Sequence, residues 1–316
     1  MVQSDLLLIA KSFVLKILKP ILYFSIFNHP LKLEEVYSFS DHENRTDFDR
    51  EIEQALQQGI IIKTDSYYHT NLTTEHIQRR ETGNRNAEKA LEKAQKKAQF
   101  ISSWFPFVEG VAISGSLSKG YFDSNSDIDF FIISKPGYLW ICRTCLVLYK
   151  KLFLFNSKKY FCVNYFITAD NLEIEEKNRF TATEIVTLIP LYGKEKLIAF
   201  FESNQWVHSF FPNKTRTDND SIRPIKKKKI TAAFERLLSG WMGRKIEQLT
   251  FRTTFWFWKL KFERKLASEF SIAFKSSKRV SKHHPSNFQK RIIDTLNRKY
   301  DDLNATHHIQ LTKEHV

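Results

Sequence analysis

The stretch VAISGSLSKGYFDSNSDIDFFII, from Val111 to Ile133, joins two apolar runs through a polar segment. The first run ends in Gly115-Ser116, and the second contains Asp127 and Asp129, one residue apart. Short apolar runs bounded by turn residues read as strands. Residues i and i+2 of a strand share a face, so the two aspartates project side by side. Adjacent carboxylates repel, and one must take up a proton unless a cation lies between them. A hard divalent ion such as Mg²⁺, or Mn²⁺ in its place, resolves the conflict through the carboxylate oxygens. A glycine after a strand lets backbone amides approach an anion, and Ser116, Ser118 and Lys119 add donors and positive charge. A phosphate cradle beside a metal-binding pair is equipment for phosphoryl chemistry. Asp123 and Asn125, between the two halves, read as turn residues.

The surroundings alternate strands and helices. GVAISGS, DIDFFIIS and KYFCVNYFIT read as strands, YLWICRTCLVLYKKLFLF as an apolar helix, and ATEIVTLIPLYG as a further helix ending before Pro190. The expectation is an α/β (α+β) core with a mixed sheet over residues 105–213. Its motif, ISGS, ten residues, then DIDF, resembles the nucleotidyltransferase superfamily typified by DNA polymerase beta. The resemblance implies that Gly115 and Ser116 bind a nucleoside triphosphate and that Asp127 and Asp129 bind Mg²⁺. It implies the family reaction too: a hydroxyl attacks the α-phosphate, a nucleoside monophosphate is transferred, and pyrophosphate leaves. Members of that superfamily usually add a third carboxylate from a later strand. The matching position here, in CVNYFI, is Asn164, which offers a metal a neutral oxygen but cannot act as a base. Asp170, Glu173 and Glu184 are other acids that could stand in.

Residues 1–75 read as a small unit: helical spacing in VLKILKPILYFSIF, a turn at Asn28-His29-Pro30, a short helix, and a third helix in RTDFDREIEQALQQG. Thr46 or Asp47 is the expected N-cap of that third helix, and Gly59 its stop. A hairpin turning near Asp65-Ser66 follows. This order resembles a winged-helix domain. The third helix carries Asp47, Asp49, Glu51 and Glu53 against Arg45 and Arg50, and negative charge on a groove-entering helix opposes phosphate. DNA binding by this unit is therefore not expected. Residues 76–104 read as a linking helix with Ala87, Ala90, Leu91, Ala94, Ala98 and Ile101 at helical spacing.

The formal charge of +14 is concentrated late in the chain. From Lys226 to Lys299 there are 20 Lys and Arg against 5 Asp and Glu, so a polyanionic partner belongs there. Residues 214–229 read as a basic linker, 230–302 as a basic helical region and 303–316 as a loose tail. Trp256, Trp258 and Phe262 are expected mostly as core, with a basic outer face free for an acceptor. His283-His284 before Pro285 reads as the lead-in to a last helix starting near Ser286. Cys142 and Cys145 form a C-x-x-C without a second ligand pair and read as buried helix thiols. Three cysteines fit a reducing compartment, and no segment reads as a secretory leader or a membrane span. The expectation is a cytoplasmic protein with no membrane partner. It moves a nucleoside monophosphate from an NTP to RNA, a protein hydroxyl or a small molecule. Two alternatives stand beside it: a degenerate nucleotide-binding sensor, motivated by Asn164, and a winged-helix regulatory protein.

Overall fold

A computed structural model describes residues 16–157, 159–214, 219–266, 276–282, 288–307 and 309–315. His283, His284 and the expected helix start at Ser286 lie outside the described residues, as does the apolar stretch up to residue 15.

The chain opens with helix α1 (residues 16–25), strand β1 (Leu31–Lys32), helices α2 (Leu33–Ser38) and α3 (Arg45–Gln57), and the hairpin β2 (Ile62–Thr64) and β3 (Tyr67–His69). The three strands form an antiparallel sheet in the order β1-β3-β2. Asn44, not Thr46 or Asp47, caps α3: its side chain accepts from the Asp47 N–H at 2.9 Å. Gln57 is the last helical residue, and Gly59 follows at φ +67°. Asp65 at φ +53° forms the hairpin turn with Ser66. Three of the four acids of α3 are held by partners, and Glu53 is exposed. Asp49 pairs with Arg45, Asp47 with Arg50, and Glu51 is fully buried against His42 at 2.8 Å.

Helix α4 (Thr74–Trp104) spans 31 residues, about 46 Å at 1.5 Å per residue. Its buried stripe of Ala87, Ala90, Ala94 and Ala98 is made of small side chains, which bring the helix close to the sheet beneath, and Ile101 closes the stripe.

That sheet has five strands: β4 (Val108–Ser114), β5 (Asp129–Ser134), β6 (Cys162–Thr168), β7 (Ile189–Tyr192) and β8 (Val280–Lys282), in the order β7-β4-β5-β6-β8. It is mixed, with β5 and β6 parallel and the other pairs antiparallel. Alternate residues feed two apolar clusters. Val111, Ile113, Phe130 and Ile132 join the α4 side, while Ala112, Phe131 and Ile133 join the other. Burial on both faces explains why DFFII is apolar without alternation.

Helices α5 (Gly115–Ser118), α6 (Leu139–Phe153), α7 (Arg179–Val186) and α8 (Lys194–Ser203) punctuate the strands. Helices α9 (Lys229–Leu238) and α10 (Trp241–Leu266) precede β8, and α11 (Phe288–His307) follows it. Among the described residues no helix is long and apolar enough to cross a membrane.

Four expectations are corrected. Helix α7 ends at Val186, before Pro190 as expected, but Pro190 then lies inside strand β7; the one named strand beside β7 is β4, and an edge strand tolerates a residue without an N–H. The basic linker is docked: Ile222 is buried, Arg223 exchanges backbone hydrogen bonds with Leu191 and Gly193, and the Lys227 ammonium donates to the Phe105 carbonyl at 2.7 Å. The tail is packed: Ile309 and Leu311 are buried, and Glu314 accepts from Arg179 at 2.6 Å. Finally, Trp258 is core and Phe262 packs partly buried on the same cluster, as expected, but Trp256 is exposed, as are Trp241 and Phe257.

Candidate active site

Gly115 sits where β4 turns into α5, with φ +72°. Its neighbour Ser114 pairs across the sheet with Asp129, and a Cβ at position 115 would run into the Asp129 carboxylate. A backbone in the left-handed region and the close approach of a carboxylate both demand glycine here.

Asp129 is the first residue of β5, and Asp127 lies just before the strand. Ile128 between them is fully buried, and its backbone is fixed on both sides: its N–H donates to the Lys159 carbonyl and its carbonyl accepts from Cys162 N–H, each at 2.9 Å. The pair is thus held at the mouth of the central strand. Burial pushes the Asp129 carboxyl up to about 6; the negative charges of Asp127 and Glu184 push the same way, while the Cys162 thiol and Lys119 oppose. A carboxylate with another carboxylate beside it, partly withdrawn from water, is a donor set that fits a hard dication. Among the described residues no three His, Cys, Asp or Glu side chains gather into a metal cage. Two carboxylates, completed by water and substrate phosphates, are the way Mg²⁺ is usually held.

Ser116 is partly exposed beside Gly115. Ser118 and Lys119 point back into the protein: the Ser118 hydroxyl donates to the Gly115 carbonyl at 2.9 Å, and the Lys119 ammonium donates to the same carbonyl at 3.0 Å and pairs with Glu184 at 2.8 Å. As they stand, these two side chains organise the turn. Asp123 is a turn residue: it accepts from Arg79 at 3.0 Å, from Tyr121 at 2.8 Å and from its own loop. Burial would raise its carboxyl, but these donors together hold it at about 2.

The third-carboxylate position is informative. Asp129 pairs with Cys162, Phe130 with Val163 and Phe131 with Tyr165, so Asn164 is the extra residue of a bulge. Its amide donates to the Cys162 sulfur at 2.8 Å, and the Cys162 thiol bonds Asp129. Of the other acids, Asp170 follows the far end of β6, where Ala169 N–H meets the Ser134 carbonyl, and it pairs with Arg279. Glu173 pairs with Lys177. Only Glu184 of the three reaches the Asp129 environment, beside Lys119. The sequence signal that could have singled it out is its place at the end of α7, one short turn before the edge strand next to β4.

Beside Lys119, between the N-terminal unit and the core, lies a cleft of about 380 Å³ lined by His29, Glu35, Phe39, Lys119, Thr187 and Lys214. Burial, with Arg80 and Lys119 nearby, holds His29 neutral, its pKa lowered to about 3. Cys142 and Cys145 are apart from this site, on α6, where burial pushes both thiols up.

Residues 91–207 match the family model described as a nucleotidyltransferase domain. The matched stretch contains the whole constellation from Gly115 to Glu184 and leaves out both the N-terminal unit and α9–α11. No curated protein and no solved structure matches the chain.

Proposed function

On the premise of that nucleotidyltransferase domain, we propose that the chain transfers a nucleoside monophosphate from an NTP to a hydroxyl acceptor, with release of pyrophosphate. The observation that carries the reading is the contact between Gly115 and Asp129. A helix start that no side chain caps and the Asp129 carboxylate meet there so closely that no side chain fits between them. In this reading Gly115 and Ser116 face the triphosphate, and Asp127 and Asp129 hold Mg²⁺ or Mn²⁺. The bound ion would offset phosphate charge as the leaving group departs. Ile128 keeps the two carboxylates in register, and Lys119 lends positive charge next to the turn while anchoring it to Glu184. We read the N-terminal elements as a winged-helix-like packing module rather than a DNA reader, because its third helix commits Asp47, Asp49 and Glu51 to partners within the unit and keeps Glu53 exposed as negative charge. A cytoplasmic setting fits three free thiols.

The second reading, a nucleotide-binding sensor without turnover, is favoured by one observation. β6 brings a thiol and an amide, not a carboxylate, next to Asp129. Pyrophosphate release from ATP, CTP, GTP and UTP, measured beside nucleotide binding, separates the two. Release abolished by Asp127→Ala or Asp129→Ala supports the transferase. Metal-dependent binding with no release, across RNA, protein and metabolite acceptors, supports the sensor.

A further inference from the structure

Helix α9 buries Thr231 and Leu238 and turns hydrogen-bonding side chains inward. The Thr231 hydroxyl donates to the Trp104 carbonyl at 3.3 Å, and Glu235 accepts from the Phe107 N–H at 2.6 Å. The outer face carries Ile230, Phe234 and Leu237 at i, i+4 and i+7, exposed by 69%, 43% and 63%. A helix on a soluble domain normally shows the reverse arrangement. Helix α10 extends the display. Gly243 lets its first turn rest against the Leu238 carbonyl, where a Cβ would collide. Trp241 is then 66% exposed, and Leu249, Trp256 and Leu260 follow along one side at 61%, 62% and 63%. A row of large apolar side chains this long marks a docking surface.

Its charge is of one sign. Lys229, Arg236, Arg244, Lys245 and Arg252 are exposed around the row. The acids of these helices among the described side chains point inward: Glu235 as above, and Glu247 onto the N–H groups of Trp140 and Ile141. The occupant must therefore be anionic and must accept aliphatic as well as aromatic side chains. Single-stranded RNA offers π-faces for Trp256 but nothing for Ile230, Leu237, Leu249 or Leu260. A second copy would set two basic faces against each other. An anionic bilayer satisfies both demands, with aliphatic chains at the acyl boundary, tryptophans at the interface and Lys and Arg at the phosphates.

We infer that the α9–α10 face docks peripherally on an anionic phospholipid surface. The expectation of no membrane partner rested on the lack of a spanning segment, and surface docking needs none. Because α9 is fastened at Phe107, beside the start of β4, its part of the docked face lies at the opposite end of that strand from Gly115.

The test is co-sedimentation of the full chain with vesicles of phosphatidylcholine alone or with about 30% phosphatidylserine, with tryptophan emission recorded in parallel. Binding to the serine-containing vesicles with a blue shift is expected. It should weaken roughly tenfold or more in Phe234→Ser/Leu237→Ser and in Arg244→Glu/Lys245→Glu, and fall with salt. All four side chains are exposed, so the melting temperatures of the variants should stay close to that of the parent protein, which checks folding. No binding to the charged vesicles, equal binding to both vesicle types, or both variants binding as the parent does would overturn the inference. So would a dimer or an RNA complex that depends on the same residues in a protein that ignores vesicles. Because the readout is vesicle binding, the result is independent of whether nucleotide is turned over.

Discussion

Gly115 carries two constraints at once, a left-handed backbone and the Asp129 carboxylate against its α-carbon. Gly115→Ala should therefore lose nucleotide-dependent activity and destabilise the fold by about 1–3 kcal/mol, read by a label-transfer assay and a denaturant melt. An alanine variant with unchanged activity would separate the turn from the chemistry. His29 gives a pH prediction. Its folded pKa, about 3, lies below the unfolded value near 6.5, so between those values the unfolded chain binds more protons. Stability from this group is present above about 6.5 and falls as pH drops towards 3. Chemical denaturation at pH 7 and pH 5 should show a loss on acidification that is smaller in His29→Gln. At this scale the residues that the structure brings together, Gly115 and Asp129, stand out in the sequence. Two carboxylates at i and i+2 in an apolar run, and a glycine at a strand end, have few other physical reasons to be there. The roles of Ser118 and Lys119 were not legible, because whether a hydroxyl or an ammonium faces a ligand or turns back to a carbonyl depends on contacts many residues away. The partner of Lys119, Glu184, is 65 residues distant.

At the level of elements, helix α6 begins without a capping side chain of its own. Its cap comes from α10: Glu247 accepts from Trp140 N–H at 2.9 Å and from Ile141 N–H at 2.8 Å. Glu247→Ala should leave buried donors unpaired and cost about 1–3 kcal/mol in a denaturant melt, and Glu247→Gln should cost less because one acceptor survives. No local pattern announces a cap supplied from a hundred residues away. The strands show the same division. β4, β5 and β6 were readable because burial on both faces makes their residues apolar. β7 leaves no signal of its own because its four residues closely follow a helical run and include a proline, and β8 is three residues in a polar context. Edge strands take their identity from the neighbour they pair with, and a short one leaves little trace in its own residues.

The whole molecule is tied together across its length. One apolar cluster joins Ile17 and Leu18 of α1 with Phe131 of the sheet, Tyr300 of α11 and Leu311 near the end. The final residues return to the core: Glu314 bonds Arg179, and Asn297 clasps the backbone of Glu314 on both sides. Removing residues 308–316 should therefore lower stability by about 3–6 kcal/mol at most, from the two buried aliphatic side chains, and thermal melting will show it. A truncated chain that melts as the full one does would return the tail to the loose state expected of a chain end. Composition located the basic charge correctly but not which side chains it surrounds, since burial of an aromatic depends on helices meeting in space. The central claim, that the Gly115 turn and the Asp127–Asp129 pair perform nucleotidyl transfer, is tested most directly with α-labelled nucleoside triphosphates and Mg²⁺. We predict label passing to an acceptor with the parent protein and not with Asp127→Ala/Asp129→Ala. Label that never leaves the triphosphate with any acceptor class, or transfer that persists in the double variant, would contradict it.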